Sequence, residues 1–250
     1  MKEELTTDQQ IRRKTIKAFV GFGVASLLPF GVWKWVTKSP YINNALAPLR
    51  KNFEFNEKLT TKLVSDSRLA PTFPLSEVPK RIRSNGTDGL MSPLEKDYKI
   101  KIESGETKFE ITVDDLKKLP KHDIVYEFKC VEGWSQIQHW GGVRFVDFMN
   151  HYKLGQKDAD SLFEYVGMET PDGKYYVGID TKSAIHPQTI LAYEMNGKPL
   201  INLKHGSPLR LIIPIKYGIK NLKRIGVIKF SDTRPKDYWA LFGYDYFAGL

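Results

Sequence analysis

Cysteine is nearly absent: the 250-residue chain holds one, Cys130. A single thiol excludes an intrachain disulfide and any all-cysteine zinc or iron–sulfur site. No C-x-x-C-H occurs, so the chain attaches no c-type haem. Internal repeats and low-complexity tracts are missing as well. Long uncharged runs are scarce, with only residues 18–33 qualifying, which excludes a polytopic membrane protein. Aromatics, by contrast, are plentiful. Fourteen Phe, 12 Tyr and 5 Trp can close a real core and exclude a disordered chain. The length suits one medium domain, or one domain plus a tail.

Lys and Arg number 38 against 29 Asp and Glu, for a net charge of +9. Such a balance suits an anionic partner. The excess is spread along the chain, however, so a soluble basic surface accounts for it without one.

The first 40 residues read as an address. Arg12-Arg13-Lys14-Thr15-Ile16-Lys17 precedes the uncharged stretch from Ala18 to Trp33, and Lys34, Lys38 and Pro40 close it. Paired arginines ahead of an apolar run resemble a twin-arginine export signal, with Thr15 where phenylalanine is usual. As a helix the run is about 24 Å long, slightly short of a bilayer core near ~30 Å. The A-x-A at Ala45-Leu46-Ala47 is followed by Pro48, a poor cleavage site. An uncleaved membrane anchor is therefore expected, with everything after about residue 40 on the periplasmic side. Twin-arginine export carries proteins that fold before crossing, often around a cofactor.

Residues 41–80 read as a linker with a weak helix over 48–68, and 70–93 as extended loop. The main domain is expected over 81–250. Alternation at 99–103 and 109–113 around Ser104-Gly105 predicts a hairpin. Thr112 followed by Asp115 predicts a capped helix start. Strands are expected at 124–129, 162–168, 174–179, 190–195, 209–215 and 227–230, with a helix over 143–152. Asn196-Gly197 is a turn signal. The class is α+β with mixed, largely antiparallel sheets.

Two segments carry chemistry. Phe128-Lys129-Cys130-Val131-Glu132-Gly133-Trp134-Ser135 puts the thiol at a strand end before a glycine-bearing loop. It can be a nucleophile, a metal ligand or a buried small hydrophobe. A cysteine hydrolase would need His186 or His205 as its base. The second segment runs from Lys204 to Arg224 and crowds Arg210, Lys216, Lys220, Lys223 and Arg224 around an apolar strand and Gly218. Backbone N–H groups with several cations suit a buried phosphate.

Both segments resemble the molybdopterin-binding domain of the sulfite oxidase family. The motifs are Lys129 to Ser135 with Trp140-Gly141-Gly142, Asn196-Gly197-Lys198-Pro199-Leu200, His205 to Pro214, Lys216 to Lys223, and the tail Asp237-Tyr238-Trp239 with Gly243-Tyr244. They recur in order over residues ~80–247. The similarity is to the single-domain, exported bacterial members, including methionine-sulfoxide reductase subunits.

The resemblance implies molybdenum held by the Cys130 thiolate beside the dithiolene sulfurs of molybdopterin. It implies cofactor contacts from Asn85, Thr170, His205, Arg210, Asn221, Leu222 and Lys223. His205 stands where the sulfoxide reductase has asparagine. Tyr217, His186 and Trp134 are candidates for binding substrate. The family's sulfite oxidases surround their anion with arginines, for which Arg83 and Arg144 are the further candidates. The implied activity is two-electron oxygen-atom transfer on a sulfoxide or related S- or N-oxide, small or protein-bound. Electrons pass through a separate haem- or quinol-linked protein, and nucleic acid is not among the partners. Sulfite oxidation and a non-catalytic anion-binding module on the same fold are the alternatives.

Overall fold

The computed structural model describes residues 7–63, 68–91, 93 and 97–250. The chain divides into two units, Met1–Asn52 and Phe53–Leu250. In the first, α1 (Thr7–Lys38) is one 32-residue helix with Pro29 inside it. Arg12–Lys38 is long and apolar enough to cross a membrane, with a mean hydropathy of 1.6 and none of its apolar window buried. Its hydroxyls turn back on the helix: Ser26 Oγ donates to the Phe22 carbonyl at 2.8 Å and Thr37 Oγ1 to Trp33 at 2.9 Å. β1 (Tyr41–Ile42) and β2 (Ala45–Leu46) form a short antiparallel pair around Asn43 and Asn44, both at positive φ. α2 (Ala47–Leu63) leads on; the end of the helix expected over 48–68 lies outside the described residues.

The second unit holds two five-stranded sheets. The first runs β10 (Lys198–Pro199), β9 (Ile190–Met195), β6 (Ser135–Arg144), β5 (Lys121–Lys129), with β11 (Arg210–Ile212) also on β9. The second runs β4 (Thr107–Ile111), β3 (Ile100–Ser104), β12 (Val227–Ser231), β7 (Tyr165–Glu169), β8 (Tyr176–Asp180). Every pairing is antiparallel except β12 with β3, so the fold is the expected α+β one. The β3–β4 hairpin forms where alternation placed it. Thr112 caps α3 (Val113–Leu116) in a reciprocal box with Asp115, an arrangement worth about 1 kcal/mol. α4 (Phe145–Tyr152) starts two residues later than expected, because Val143 belongs to β6. α5 (Thr181–Ala184) and α6 (Tyr238–Leu241) are single turns capped by Asp180 and Asp237.

Side-chain alternation sends the two faces of the first sheet into different apolar clusters. Val143, Leu191 and Leu211 enter the large cluster with Phe145, Met168 and Ile228. Trp140, Ile190, Ala192 and Ile212 join Ile124 and Tyr126 in the smaller one. Burial on both faces is why β9 and β11 read as continuous apolar runs.

β6 is the strand that the sequence conceals. Its centre is Trp140-Gly141-Gly142, and glycine disfavours strands. Here the backbone needs it: a Cβ on Gly142 would stand 2.1 Å from the Leu191 carbonyl oxygen, next to a register shift between Gly141 and Gly142. Gly142→Ala is expected to cost about 3 kcal/mol by overpacking against backbone, read as a lowered thermal midpoint with native-like circular dichroism.

Candidate active site: a thiol and a cationic wall in one cleft

Cys130 follows the last residue of β5, and five residues turn the chain into β6. The Cys130 N–H donates to the Trp134 carbonyl at 2.9 Å, and the Gly133 N–H returns to the Cys130 carbonyl at 3.0 Å. Gly133 takes φ +87°, which a side chain would strain. The turn fixes the thiol in a largely buried position. Burial pushes its pKa up, and the neighbouring Glu132 charge adds to this. A thiol so placed stays protonated until a metal or strong base displaces the proton.

A second element lies across this turn. The Arg83 N–H donates to Gln136 Oε1 at 2.8 Å, and Gln136 Nε2 to the Arg81 carbonyl at 3.1 Å, tying the 81–86 segment to the start of β6. The Arg83 guanidinium lies 4.4 Å from the Trp134 ring centre. The Asn85 amide donates to Glu132 Oε1 at 2.8 Å and reaches the thiol. The Asn85 carbonyl accepts from Lys223 Nζ at 2.6 Å, and that ammonium also reaches the Gly86 carbonyl and Ser84 Oγ. Asn85 therefore joins the cysteine turn to the cationic loop.

The cationic wall is built by β11 and the loop beyond it. Arg210 is buried, with Nη1 donating to the His205 carbonyl at 2.9 Å and Nη2 to the Asn221 carbonyl at 3.2 Å. Its guanidinium stacks 4.5 Å from the ring centre of the fully buried Trp140. Arg210 Nε is buried without a partner. Asn221 holds the loop's shape: its Oδ1 accepts from the Ile213 N–H at 2.9 Å and its amide donates to the Tyr217 carbonyl. Gly206, at φ +98°, lets the His205 turn pack on Lys223, where a Cβ would meet the Lys223 Cα at 3.0 Å. Burial pushes Lys223 down to about 7, Arg210 down to about 10 and His205 down to about 4, with mutual repulsion adding to the lysine and histidine shifts. Among the described residues no carboxylate forms an ion pair with Arg210 or Lys223. An anion in the cleft would favour the charged form of Lys223 and offer an acceptor to Arg210 Nε.

One cleft, enclosing about 920 Å³ and partly open to solvent, joins these elements, with Tyr175, Trp239 and Tyr244 also on its wall. Of the residues named from sequence, Cys130, Asn85, His205, Arg210, Asn221 and Lys223 line it, as do Arg83 and Trp134. Thr170 and Leu222 do not line it. The Thr170 hydroxyl donates to Asp172 beneath Tyr175, and Leu222 is a core side chain whose N–H and carbonyl bond to Lys220 and Leu211. His186 is wholly buried elsewhere, between Arg68 and Gln188. Tyr217 is outside the lining, and Arg144 is bound to Asp147 at 2.8 Å.

The crowded cations of the second segment also separate. Lys216 pairs with Asp180 at 3.1 Å and Lys220 with Asp237 at 2.5 Å, all within the core, leaving Arg210 and Lys223 to face the cleft. Gln138 and Tyr175 were missed from the sequence, and Phe128 and Trp140, though inside its motifs, were given no role there. They reach the wall through strand pairing and turn packing, and Gly218 sits so close to Phe128 that a Cβ would lie 2.3 Å from its ring.

The donor set limits what can bind. Among the described residues no group of three or more His, Cys, Asp or Glu side chains is placed to hold a metal. A metal at Cys130 must bring most of its own ligands, and it must be soft enough to favour thiolate. Arg210 and Lys223, which have no carboxylate partner among the described residues, favour a ligand that also carries negative charge. Molybdopterin, with two sulfur donors and a phosphate, fits both demands.

Comparison with known proteins agrees. Residues 89–239 match the family model "Oxidoreductase molybdopterin binding domain". The chain is 33% identical over 219 residues to YedZ1 of Azospira oryzae, whose name assigns it provisionally as a protein-methionine-sulfoxide reductase subunit; the match spans 86% of this chain and 79% of that one. It is 33% identical over 176 residues to MsrP of Campylobacter jejuni, a protein-methionine-sulfoxide reductase catalytic subunit, over 62% of this chain and 57% of that one. A solved structure, the sulfane dehydrogenase SoxCD from Paracoccus pantotrophus, aligns with a TM-score of 0.49 at 18% identity over 57% of this chain and 40% of that one. The chain belongs to the sulfite oxidase family of molybdopterin-binding oxidoreductases, and its cofactor is Mo-molybdopterin.

Proposed function

We propose that this enzyme reduces a sulfoxide, as a free small molecule or a methionine sulfoxide side chain, on the outer face of the cytoplasmic membrane. In the reaction a sulfoxide, two electrons and two protons give a thioether and water. The bound cofactor supplies a metal that cycles by two electrons and exchanges one oxygen atom with substrate. The chain's own residues bind and orient. The Cys130 sulfur holds the metal, and Asn85 keeps the cysteine turn in place. Arg210 and Lys223 neutralise the phosphate, with the planar guanidinium suited to a forked contact. Trp134, Trp239 and Tyr244 give the cleft an aromatic surface suited to a sulfoxide's apolar substituents.

The observation that carries the reading is the coexistence, in one cleft, of the only thiol and an unpaired cationic wall, in a chain related to methionine-sulfoxide reductase subunits. Sulfite is disfavoured because the lining holds two arginines, Arg83 and Arg210, while Arg144 is spent on Asp147. A hydrolase using Cys130 with His186 is disfavoured because that imidazole lies outside the cleft, and one using His205 because burial beside Arg210 and Lys223 leaves that imidazole too weak a base for a thiol that burial pushes up. The test is reduced-viologen oxidation by holoenzyme with methionine sulfoxide, set against sulfite-dependent dye reduction. Turnover with the sulfoxide is expected; turnover with sulfite alone would overturn the reading.

We further propose that α1 is an uncleaved anchor delivered by the paired arginines. Its length and composition support this, as does Pro48 after Ala45-Leu46-Ala47. Arg12→Lys with Arg13→Lys is expected to leave folded protein in the cytoplasm, scored by protease protection in spheroplasts. Normal export of the double variant would reduce the pair to a basic flank.

A further inference from the structure

A second groove borders the active-site cleft. It encloses about 1160 Å³, open to solvent, and is lined by Lys80, Arg81, Arg83, Asn202, Lys204 and His205 among others. No carboxylate lines it. Several exposed lysines elsewhere do pair with acids: Lys99 with Glu110 at 3.2 Å, Lys117 with Asp114 at 2.8 Å, Lys157 with Asp232 at 2.8 Å and Lys229 with Glu103 at 3.3 Å. Lys80, Arg81, Arg83 and Lys204 form no ion pair among the described residues, although three of them come within a stretch of four positions. Repulsion among them is left uncompensated, which is the charge pattern of a surface that meets an acidic partner.

Two further features mark a macromolecule rather than a small anion. The loop that supplies Asn202 and Lys204 also presents Ile201 at 83% exposure and Leu203 at 41%. Apolar side chains set among cations are what a protein interface uses to exclude water around its charged contacts. The groove also shares Arg83, Ser84 and His205 with the active-site cleft, so both faces of the 83–84 segment are in use. Ser84 connects them directly, donating to the Lys204 carbonyl and meeting Lys223 Nζ at 3.2 Å.

We propose that this groove docks the acidic face of the protein that delivers electrons to the active site. The inference rests on the sulfoxide-reducing reading, since two electrons per sulfoxide must arrive from a donor outside this chain. Lys80, Arg81 and Lys204 steer and orient that donor, Ile201 and Leu203 make the dry contact, and the shared 83–84 wall sets the donor beside the cofactor. The partner takes no part in binding the sulfoxide, and the triad of outer cations takes no part in binding the cofactor.

The test compares two electron sources in full-length holoenzyme, with methionine sulfoxide as acceptor. One source is reduced methyl viologen, a small cation that needs no docking face. The other is quinol-reduced membranes of the source organism. In the variant Lys80→Glu/Arg81→Glu/Lys204→Glu, membrane-driven turnover is expected to fall by about tenfold or more, with viologen-driven turnover and molybdenum content unchanged. Wild-type membrane-driven turnover is expected to weaken as salt rises, and the variant's to be nearly flat. Ile201→Ser should lower the membrane-driven rate without changing its salt dependence. Equal retention of both activities in the triple variant would overturn the proposal, as would a parallel loss of both. Loss of binding to protein-free phosphatidylglycerol vesicles in that variant would assign the patch to lipid and overturn it too. Absence of viologen-driven turnover in the wild type would instead defeat the sulfoxide-reducing reading, so the two failures are distinguishable.

Discussion

Cys130→Ser is expected to leave a folded protein with turnover reduced by about three orders of magnitude, about 4 kcal/mol in transition-state terms. The substitution exchanges one chalcogen for another at a largely buried position, so the β5–β6 turn should survive. Its frame is backbone: the Cys130 N–H to the Trp134 carbonyl and the Gly133 N–H to the Cys130 carbonyl. What changes is donor softness. A serine hydroxyl is far harder to deprotonate than a thiol and is a poor match for a metal that is otherwise bound through sulfur. Thermal midpoints within a few degrees of wild type, alongside the lost turnover, would place the effect on the metal. Undiminished turnover would remove the ligand assignment.

The second large effect is expected at Arg210. Arg210→Met keeps the stem volume but deletes the forked donors and the only buried charge that faces the cleft from β11. Two losses combine. The His205 and Asn221 carbonyls lose their charged donor, and the cofactor's anionic end loses its counter-charge. A charge-assisted hydrogen bond is worth about 1.5–3 kcal/mol, so retention of molybdenum through purification should fall by about ten- to a hundredfold. Arg210→Lys restores charge without the planar fork and should recover part of that retention. Molybdenum per chain, measured against the thermal midpoint, separates the two losses. Full loading of Arg210→Met would exclude its anion-binding role.

Local structure was legible wherever local chemistry decides it. The Ser104-Gly105 hairpin, the Thr112–Asp115 box and the Asn196-Gly197 turn each depend on a few adjacent residues, and each formed where expected. Cys130 at a strand end was legible for the same reason. β6 was not, because its Trp-Gly-Gly centre is justified only by the approach of Leu191 from a strand about fifty residues away in sequence. The cationic segment was half legible. Its position in the fold followed from the motif, but sequence adjacency cannot separate cations that face a ligand from those paired inward. Asp180 and Asp237 make that division, and they arrive from other parts of the chain. The same limit hid Tyr175 and Gln138, which reach the cleft by topology alone. The outer groove was invisible for the converse reason. Its cations are spread over two segments some 120 positions apart, and in sequence they look like an ordinary basic surface.

The central claim is that the only thiol in the chain is bonded to molybdenum. Molybdenum K-edge absorption fine structure of holoenzyme from a host able to make the pterin measures that bond directly. Three sulfur neighbours are expected in the wild type and two in Cys130→Ser. An unchanged sulfur shell in the variant, or a wild-type Cys130 that titrates freely with thiol reagents while molybdenum is bound, would contradict the assignment.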